Sequence, residues 1–310
     1  MRGCCHAFIV LRHRVVANGR LCIDSAVVPR YTVRMKNSRN NELAVCGFEA
    51  VRALADIHPE LVQRLYFTRE RAPAFGAVCR LLAAQKRPYN AVEADELERL
   101  CGSVHHQGVV AMIKTPRLVA LTSDITDDWL HHRESALLLD RVGNANNLGA
   151  IVRSAAFFGF RNIIIPLDEA QSSVTTSAYR VAQGGMEFVQ LYTVRSVTKL
   201  LLALKGKMIR LGTAVDAPAP VSDIPRLCAG KGTLIVLGNE EHGISREVKQ
   251  HCDAVVTIPA FGDKRNARAA TTATANRTTP CPLRQRPLES LNVAQAAAII
   301  LYEYSKCQRP

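Results

Sequence analysis

From residue 136 onward, short apolar runs alternate with stretches whose apolar positions recur every three to four residues, the two periods that distinguish a strand from a helix. The runs Ala136–Asp140, Asn162–Pro166, Met208–Val215, Thr233–Gly238 and Ala254–Pro259 predict strands. Helices are predicted over Leu148–Phe158, Val197–Leu204, Arg246–Cys252 and Leu291–Lys306. Apolar strands spaced by helices imply an α/β fold whose parallel sheet is covered on both faces. Ligands of such sheets bind beyond the carboxyl ends of the strands.

Before this region, residues 42–115 also alternate between helical and strand patterns, with Leu61, Leu65, Val78, Leu81 and Leu82 as apolar anchors. The stretch HHQGVVAMIK closes on a buried strand, so a small separate α/β domain is expected. Residues 116–135 hold Thr122, Ser123, Asp124, Asp127 and Asp128 and read as a polar linker with two candidate helix caps. Residues 1–41 show no sustained period and read as a basic, disordered leader. A cleavable mitochondrial presequence fits the charge of that leader but not its shortage of serine; a misassigned start is the other alternative.

Composition narrows the class. A chain of 310 residues, 48% of them hydrophobic, can bury a sizeable core. Its longest apolar run, Ala296–Tyr302, falls far short of the roughly 20 residues of a membrane span, so a soluble protein is expected. Ten cysteines lie scattered without a CxxC pair, which favours neither a zinc site nor a disulfide framework and suggests reduced thiols in a reducing compartment. Cys101, His105 and His106 lack a fourth partner at metal-ligand spacing, so no metal is expected. The net charge of +13 suits a nucleic-acid partner, but residues 1–40 carry +7 of it and residues 263–289 carry +4. Solvated tails explain that distribution as well as an RNA-binding arm does.

Candidate chemistry sits in three blocks, each a strand end running into a polar turn and a helix. In LLLDRVGNANNLGAIVRSAAFFGF, Asn147 opens the predicted helix, where it can cap backbone donors or meet a phosphate. Arg153 is the only charge on that helix. In LIVLGNEEHGISREVKQHCDAVVTIPAFG, Gly238 lets the backbone pass close to a ligand or simply makes a turn. Glu240 offers a carboxylate to a cation or to a helix start. In SLNVAQAAAIILYE, Ser290 can serve as the cap of the last helix. Neither GxGxxG nor a P-loop is present, which gives ordinary dinucleotide or nucleoside-triphosphate binding little support.

Taken together, Asn147 with Arg153 six residues on, Gly238 and Glu240 followed by Gly243, Ile258-Pro259, and Ser290-Leu291-Asn292 resemble the SpoU/TrmH family of RNA ribose methyltransferases, within the SPOUT superfamily. The resemblance spans about Glu42 to Glu303, and includes His106-Gln107-Gly108 before the last strand of the first domain. It implies a catalytic unit over residues 136–310 with a C-terminal deep trefoil knot, preceded by an RNA substrate-binding domain over residues 42–115. The implied cofactor is S-adenosyl-L-methionine, the implied reaction methylation of a ribose 2′-hydroxyl in rRNA or tRNA, and the implied assembly a homodimer that uses the last helix. Arg153, Asn147 and Glu240 would form the catalytic group, while Leu237, Gly238, Ile258, Ser290, Leu291 and Asn292 would bind the cofactor. A guanidinium keeps its proton across the accessible pH range, so Arg153 is expected to orient the ribose and stabilise oxyanion character.

One departure stands out. Twenty-seven residues, 263–289, separate Gly262 from Ser290 where the family has a short run. Rich in Ala, Thr, Arg and Pro, they read as a flexible RNA-contacting excursion, an inert insertion or a gene-model artefact; the scarcity of aromatic stacking residues favours the latter two. Two functions therefore compete: a cytoplasmic, or alternatively mitochondrial, RNA methyltransferase, and a catalytically silent RNA-binding or ribosome-assembly factor on the same scaffold. Intact Arg153, Glu240 and Asn292 favour the enzyme.

Overall fold

The computed structural model describes residues 42–167, 174–239, 242–260 and 290–308. The leader 1–41, Glu240 and the insertion 263–289 lie outside the described residues.

The first region contains β1 (Glu42–Cys46), α1 (Phe48–Ile57), β2 (Val62–Phe67), α2 (Gly76–Ala84), β3 (Tyr89–Ala91), α3 (Ala94–Cys101) and β4 (Val109–Lys114). Its strands form a four-stranded sheet in the order β1-β4-β2-β3. Strand β4 runs antiparallel to both β1 and β2, and β3 runs parallel to β2. The side-chain period of two sorts the residues cleanly. Leu43, Val45, Leu65, Phe67, Val109, Ala111 and Ile113 join Val51 and Leu54 of α1 and Val78 and Leu82 of α2 in one core. The opposite parity, Ala44, Cys46, Val110 and Met112, meets Leu97 of α3.

The second region contains β5 (Val119–Ala120), α4 (Ser123–His132), β6 (Ala136–Asp140), α5 (Ala145–Phe157), β7 (Asn162–Pro166), α6 (Thr176–Ala182), β8 (Gln190–Val194), α7 (Val197–Ala203) and β9 (Ile209–Thr213). It continues with β10 (Ala219–Pro220), α8 (Ile224–Leu227), β11 (Thr233–Gly238), α9 (Arg246–Gln250), β12 (Ala254–Thr257) and α10 (Val293–Ser305). The strands form an eight-stranded sheet in the order β10-β12-β9-β11-β6-β7-β8-β5. All its neighbouring strands pair in parallel.

Both faces of this sheet are covered, which is why its central strands are apolar throughout. Leu137, Leu139, Ile163, Ile165, Ile235 and Leu237 pack with Leu148, Ile151 and Val152 of α5 and with Ala297, Ile300 and Leu301 of α10. Alternate residues Leu138, Ile164, Leu234 and Val236 face the other way, onto Trp129 of α4, Leu201 of α7 and Val248 of α9. Each fully buried aliphatic side chain of this kind contributes about 1.5–3 kcal/mol. A further tie holds β9 to the start of β12. Arg210, with only 5% of its side chain exposed, donates to Asp253 from Nε at 2.9 Å and from Nη2 at 2.5 Å. Those hydrogen bonds keep the Asp253 carboxyl below its ordinary value.

The parallel α/β sheet agrees with the sequence pattern, with differences at its margins. Strand β9 spans Ile209–Thr213 and β12 ends at Thr257, so both are shorter than the apolar runs that predict them. The stretch 116–135 is built into the large unit rather than strung between two units. Its β5 pairs with β8, and Trp129 of α4 is 2% exposed. Strands β5, β8 and β10 and helices α6 and α8 escape the sequence pattern because they are short or half polar. The QLYTV of β8 has no fully buried position. Among the described residues no helix is long and apolar enough to cross a membrane.

Candidate active site

Strands β6 and β11 lie side by side, with Leu139 opposite Leu237 and Asp140 opposite Gly238. After Gly238 the chain folds back over its own strand end. Asn239 bridges to Gly243, whose N–H donates to the Asn239 carbonyl at 2.8 Å. A Cβ at position 238 would lie 2.2 Å from both the carbonyl carbon of Gly243 and the nitrogen of Ile244. Backbone on backbone leaves nothing to yield, so this crossing requires glycine.

Two residues at the end of β6, Asp140 and Arg141, fasten the loop. Asp140, 6% exposed, accepts the N–H of Ser245 at 3.2 Å and faces the Nε of Arg141 at 3.5 Å. Arg141 sits in the left-handed region with φ of 60°. Its carbonyl accepts from Asn239 Nδ2 at 3.1 Å, and its Nη2 donates to the Gly243 carbonyl at 3.4 Å. Ser245 then caps α9 by accepting the N–H of Val248 at 3.2 Å. The segment 239–245 is thus tied at both ends to residues about a hundred positions earlier.

The first and third blocks meet at the same edge. Asn292 Nδ2 donates to Asn147 Oδ1 at 3.1 Å, across 145 residues of sequence. Neither helix starts where the sequence suggests. Asn144, not Asn147, caps α5, because its side-chain oxygen accepts the N–H of Asn146 at 2.8 Å. Asn147 is therefore the third residue of the helix, and its amide oxygen accepts from α10's cap. Likewise Asn292, not Ser290, caps α10, accepting the N–H of Ala294 at 2.9 Å. The same side chain uses its oxygen for the cap and its nitrogen for the contact with Asn147.

Arg153 lies six residues beyond Asn147, about 9 Å along the helix axis. It is exposed and has no hydrogen-bond or ion-pair partner among the described residues. Its backbone rests against Gly185: a Cβ built there would be 3.1 Å from the Cα of Arg153. Ile258 is half buried one residue beyond β12, and Ser290 and Leu291 are exposed, Leu291 by 41%. The structure thus joins Asn147 to Asn292 by contact, and places Leu237, Gly238 and Ile258 at one carboxyl edge. No described hydrogen bond or ion pair connects Arg153 to that group, and Glu240 is outside the described residues. Sequence reasoning missed Asp140, Arg141, Asn144 and Ser245. A carboxylate closing the otherwise apolar strand ALLLD was the available signal, since a charge on a buried strand needs a partner.

The comparisons with known proteins bear on both regions. A model described as the SpoU rRNA methylase family matches residues 134–274, and one described as RNA 2′-O ribose methyltransferase substrate binding matches residues 44–119. An uncharacterized tRNA/rRNA methyltransferase of Haemophilus influenzae is 32% identical over 180 residues, covering 58% of this chain; the chain spans only half of that relative's length. The 23S rRNA (guanosine-2′-O-)-methyltransferase RlmB of Acinetobacter baylyi is 32% identical over 272 residues, covering 83% of this chain and 94% of its own. The crystal structure of the SpoU methyltransferase AviRb from Streptomyces viridochromogenes, in complex with AdoMet, shares the fold with a TM-score of 0.60 at 23% identity, over 87% of this chain and 92% of that one. With both region models matched and nearly the whole of the Acinetobacter relative aligned, the chain belongs to the SpoU rRNA methylase family.

Proposed function

We propose that this protein is an S-adenosylmethionine-dependent RNA methyltransferase that methylates a ribose 2′-hydroxyl, with ribosomal RNA as its substrate class. Residues 42–115 position the RNA and residues 136–310 catalyse. The observation that carries this reading is the 3.1 Å hydrogen bond from Asn292 to Asn147, which draws the first and third blocks to one end of the sheet. The relative from Acinetobacter baylyi, whose name specifies a guanosine 2′-hydroxyl in 23S rRNA, supports the substrate class.

The residues at that edge suit the cofactor chemically. A purine nucleoside needs apolar cover and a few hydrogen bonds, and the edge offers half-buried Ile258 and exposed Leu291. In this reading Leu237, Gly238, Ile258, Ser290 and Leu291 hold the cofactor, while Asn292 and Asn147 fix the start of α10 beside it. The bound cofactor supplies a methyl group on a cationic sulfonium. Glu240, which lies outside the described residues, belongs to the catalytic group on the family resemblance alone. Arg153 orients the ribose and stabilises the negative charge that develops on the attacking oxygen.

A C-terminal trefoil knot, a homodimer and a cytoplasmic setting belong to the same proposal. The return of residues 239–245 across the end of β11 supports the knot. For the dimer, Phe157 is 82% exposed and Tyr302 is 47% exposed, and Phe158 bridges them with ring centroids 5.1 and 6.4 Å away. A second copy covering that aromatic face would remove it from water. Free thiols at Cys46, Cys79, Cys101, Cys228, Cys252 and Cys307 suit a reducing cytoplasm.

The test is calorimetric titration with S-adenosylmethionine, followed by transfer of labelled methyl to total RNA and mapping of 2′-O-methyl positions. Binding and transfer are expected. RNA binding without either would establish the silent factor instead. Arg153→Lys keeps the charge but loses the planar fork, and should lower kcat by about 100-fold or more with cofactor affinity unchanged. Full turnover by that variant refutes the geometric role.

A further inference from the structure

The turn His106-Gln107-Gly108 is not used by the chemistry above, yet it holds the Phe48 ring under two guanidiniums, Arg71 and, at 5.5 Å, Arg52, which Glu49 also pairs. Gln107 adopts φ of 54° and its Oε1 accepts the N–H of Phe48, the first residue of α1, at 2.7 Å. That bond holds the Phe48 ring beneath the guanidinium of Arg71, whose Cζ lies 4.7 Å from the ring centroid. Gly108, at φ of 81°, completes the arrangement, since a Cβ there would lie 3.0 Å from Cγ of Arg71 and 2.9 Å from Oγ1 of Thr68. His106 supports the turn itself by accepting the Gly108 N–H on Nδ1 at 3.0 Å. An aromatic face under a guanidinium steadies it without neutralising it.

The cation so fixed sits where the small sheet region abuts the large one. A Cβ at Gly47 would lie 4.0 Å from Cγ of Arg180 on α6. One turn further along α1, Ala53 and the carbonyl of Glu49 border Gly184, and the adjacent Gly185 borders the backbone of Arg153. Arg71 thus lies over Phe48, Arg180 lies beside the adjacent Gly47, and Arg153 lies beside Gly185, whose neighbour Gly184 borders α1. None of the three has an ion-pair partner among the described residues, whereas nearby Arg52 is answered by Glu49 at 2.5 Å. Guanidiniums without an acidic partner raise the local positive potential, which attracts a polyanion.

We propose that Phe48, Arg71 and Arg180 form an RNA phosphate anchor across the seam between the two regions, leading the strand toward Arg153. The anchor rests on the RNA methyltransferase reading for its destination, not for its construction. Gln107 and Gly108 are its positioning residues. Contacts of this type set register and affinity, not base identity.

The test measures RNA binding of the full chain at several salt concentrations for Arg71→Gln, Arg180→Gln, the double variant and Lys199→Gln, an exposed site on α7 at the opposite face of the sheet. Each seam variant should raise Kd about 3- to 10-fold and lower the salt slope by about 0.7–1, the double variant adding the two. Lys199→Gln should do neither. Calorimetric affinity for S-adenosylmethionine and kcat at saturating RNA should stay at the wild-type level. Phe48→Leu retains apolar packing but loses the ring face, and is expected to reproduce a weakened Arg71 effect. An unchanged slope in a folded double variant overturns the anchor. If the wild type binds RNA with the expected slope losses in the variants but transfers no methyl, the anchor stands and the enzyme reading falls. If the wild type transfers methyl while the variants keep both slope and KM for RNA, the reverse holds.

Discussion

The two sheets of this molecule solve different problems. In the four-stranded sheet, β4 pairs antiparallel with both neighbours, and the devices that matter are a single turn and the helix start beside it. In the eight-stranded sheet all strands pair in parallel, so no hairpin can bring neighbours together, and the ties from Asp140, Arg141 and Asn147 at the carboxyl edge reach to distant stretches. The spacing is 98 residues for Asn239 and Arg141, 105 for Ser245 and Asp140, and 145 for Asn292 and Asn147. The small sheet therefore presents a surface feature that tolerates local change. The large one has an edge whose shape depends on closure of the whole unit.

Glycine substitutions should expose that contrast most sharply. Gly238→Ala forces a Cβ to 2.2 Å from two backbone atoms, so cofactor binding should fall below calorimetric detection and the melting temperature by about 10 °C or more. Gly108→Ala meets side-chain atoms at 2.9 and 3.0 Å, which can shift, although its φ of 81° adds strain. It should cost about 1–2 kcal/mol, leave cofactor affinity intact and weaken RNA binding. Equal losses of cofactor binding in the two variants would erase the distinction between the sheets.

Next in size is Asp253→Ala, which leaves the buried Arg210 guanidinium with only the Leu201 carbonyl at 3.0 Å. Chemical denaturation should show a loss of about 3 kcal/mol, with a smaller loss for Arg210→Met, which removes the buried charge along with its partner. Asn292→Ala comes third. It deletes a helix cap, worth about 1 kcal/mol, together with the contact to Asn147, whereas Asn147→Ala deletes the contact alone. Cofactor Kd should rise by about 10-fold in both, and a double-mutant cycle should give the coupling expected of directly touching side chains. Independent, additive effects would show that the edge does not act as a unit.

The smallest effect is opposite in sign and lies at the seam between the sheets. Burial, helped by the charge of Glu60, pushes the Glu187 carboxyl up from 4.5 to about 7, and its Oε1 has no hydrogen-bond partner. Below pH 4.5 folded and unfolded chains are both protonated there, and Glu187→Gln should be neutral. Between pH 4.5 and 7 the folded state retains a proton that the unfolded state has lost, so the wild type loses stability as pH rises, and above 7 it carries a buried charge. The Gln variant should therefore melt about 2–6 °C higher at pH 8.5 and no higher at pH 4.

How much of this was legible beforehand differs by element. The runs ALLLD, NIIIP and TLIVLG announce strands buried on both faces, because parallel strands covered by helices must be apolar at every position. The spacing Asn147 to Arg153, Gly238, Ile258-Pro259 and Ser290-Leu291-Asn292 carried the family. Strand β8 stayed hidden because its half-polar QLYTV lacks a buried row. The segment 116–135 was misread because its acidic surface conceals Trp129, a single residue whose burial commits the helix to the core.

By itself, then, the order of apolar and polar residues determined the class of fold, and the short blocks quoted above carried the family. Local interactions and side-chain period are properties of neighbours in sequence, and a sequence states them directly. Only the tertiary structure decided which asparagine caps each helix, that Asp140 and Arg141 clamp the loop over Gly238, and that Arg71 rests on the Phe48 ring while Arg180 borders Gly47. The clamp and the contact between the two asparagines join groups 98 to 145 residues apart, and competition for the same donors and the same space is settled only once the chain has closed.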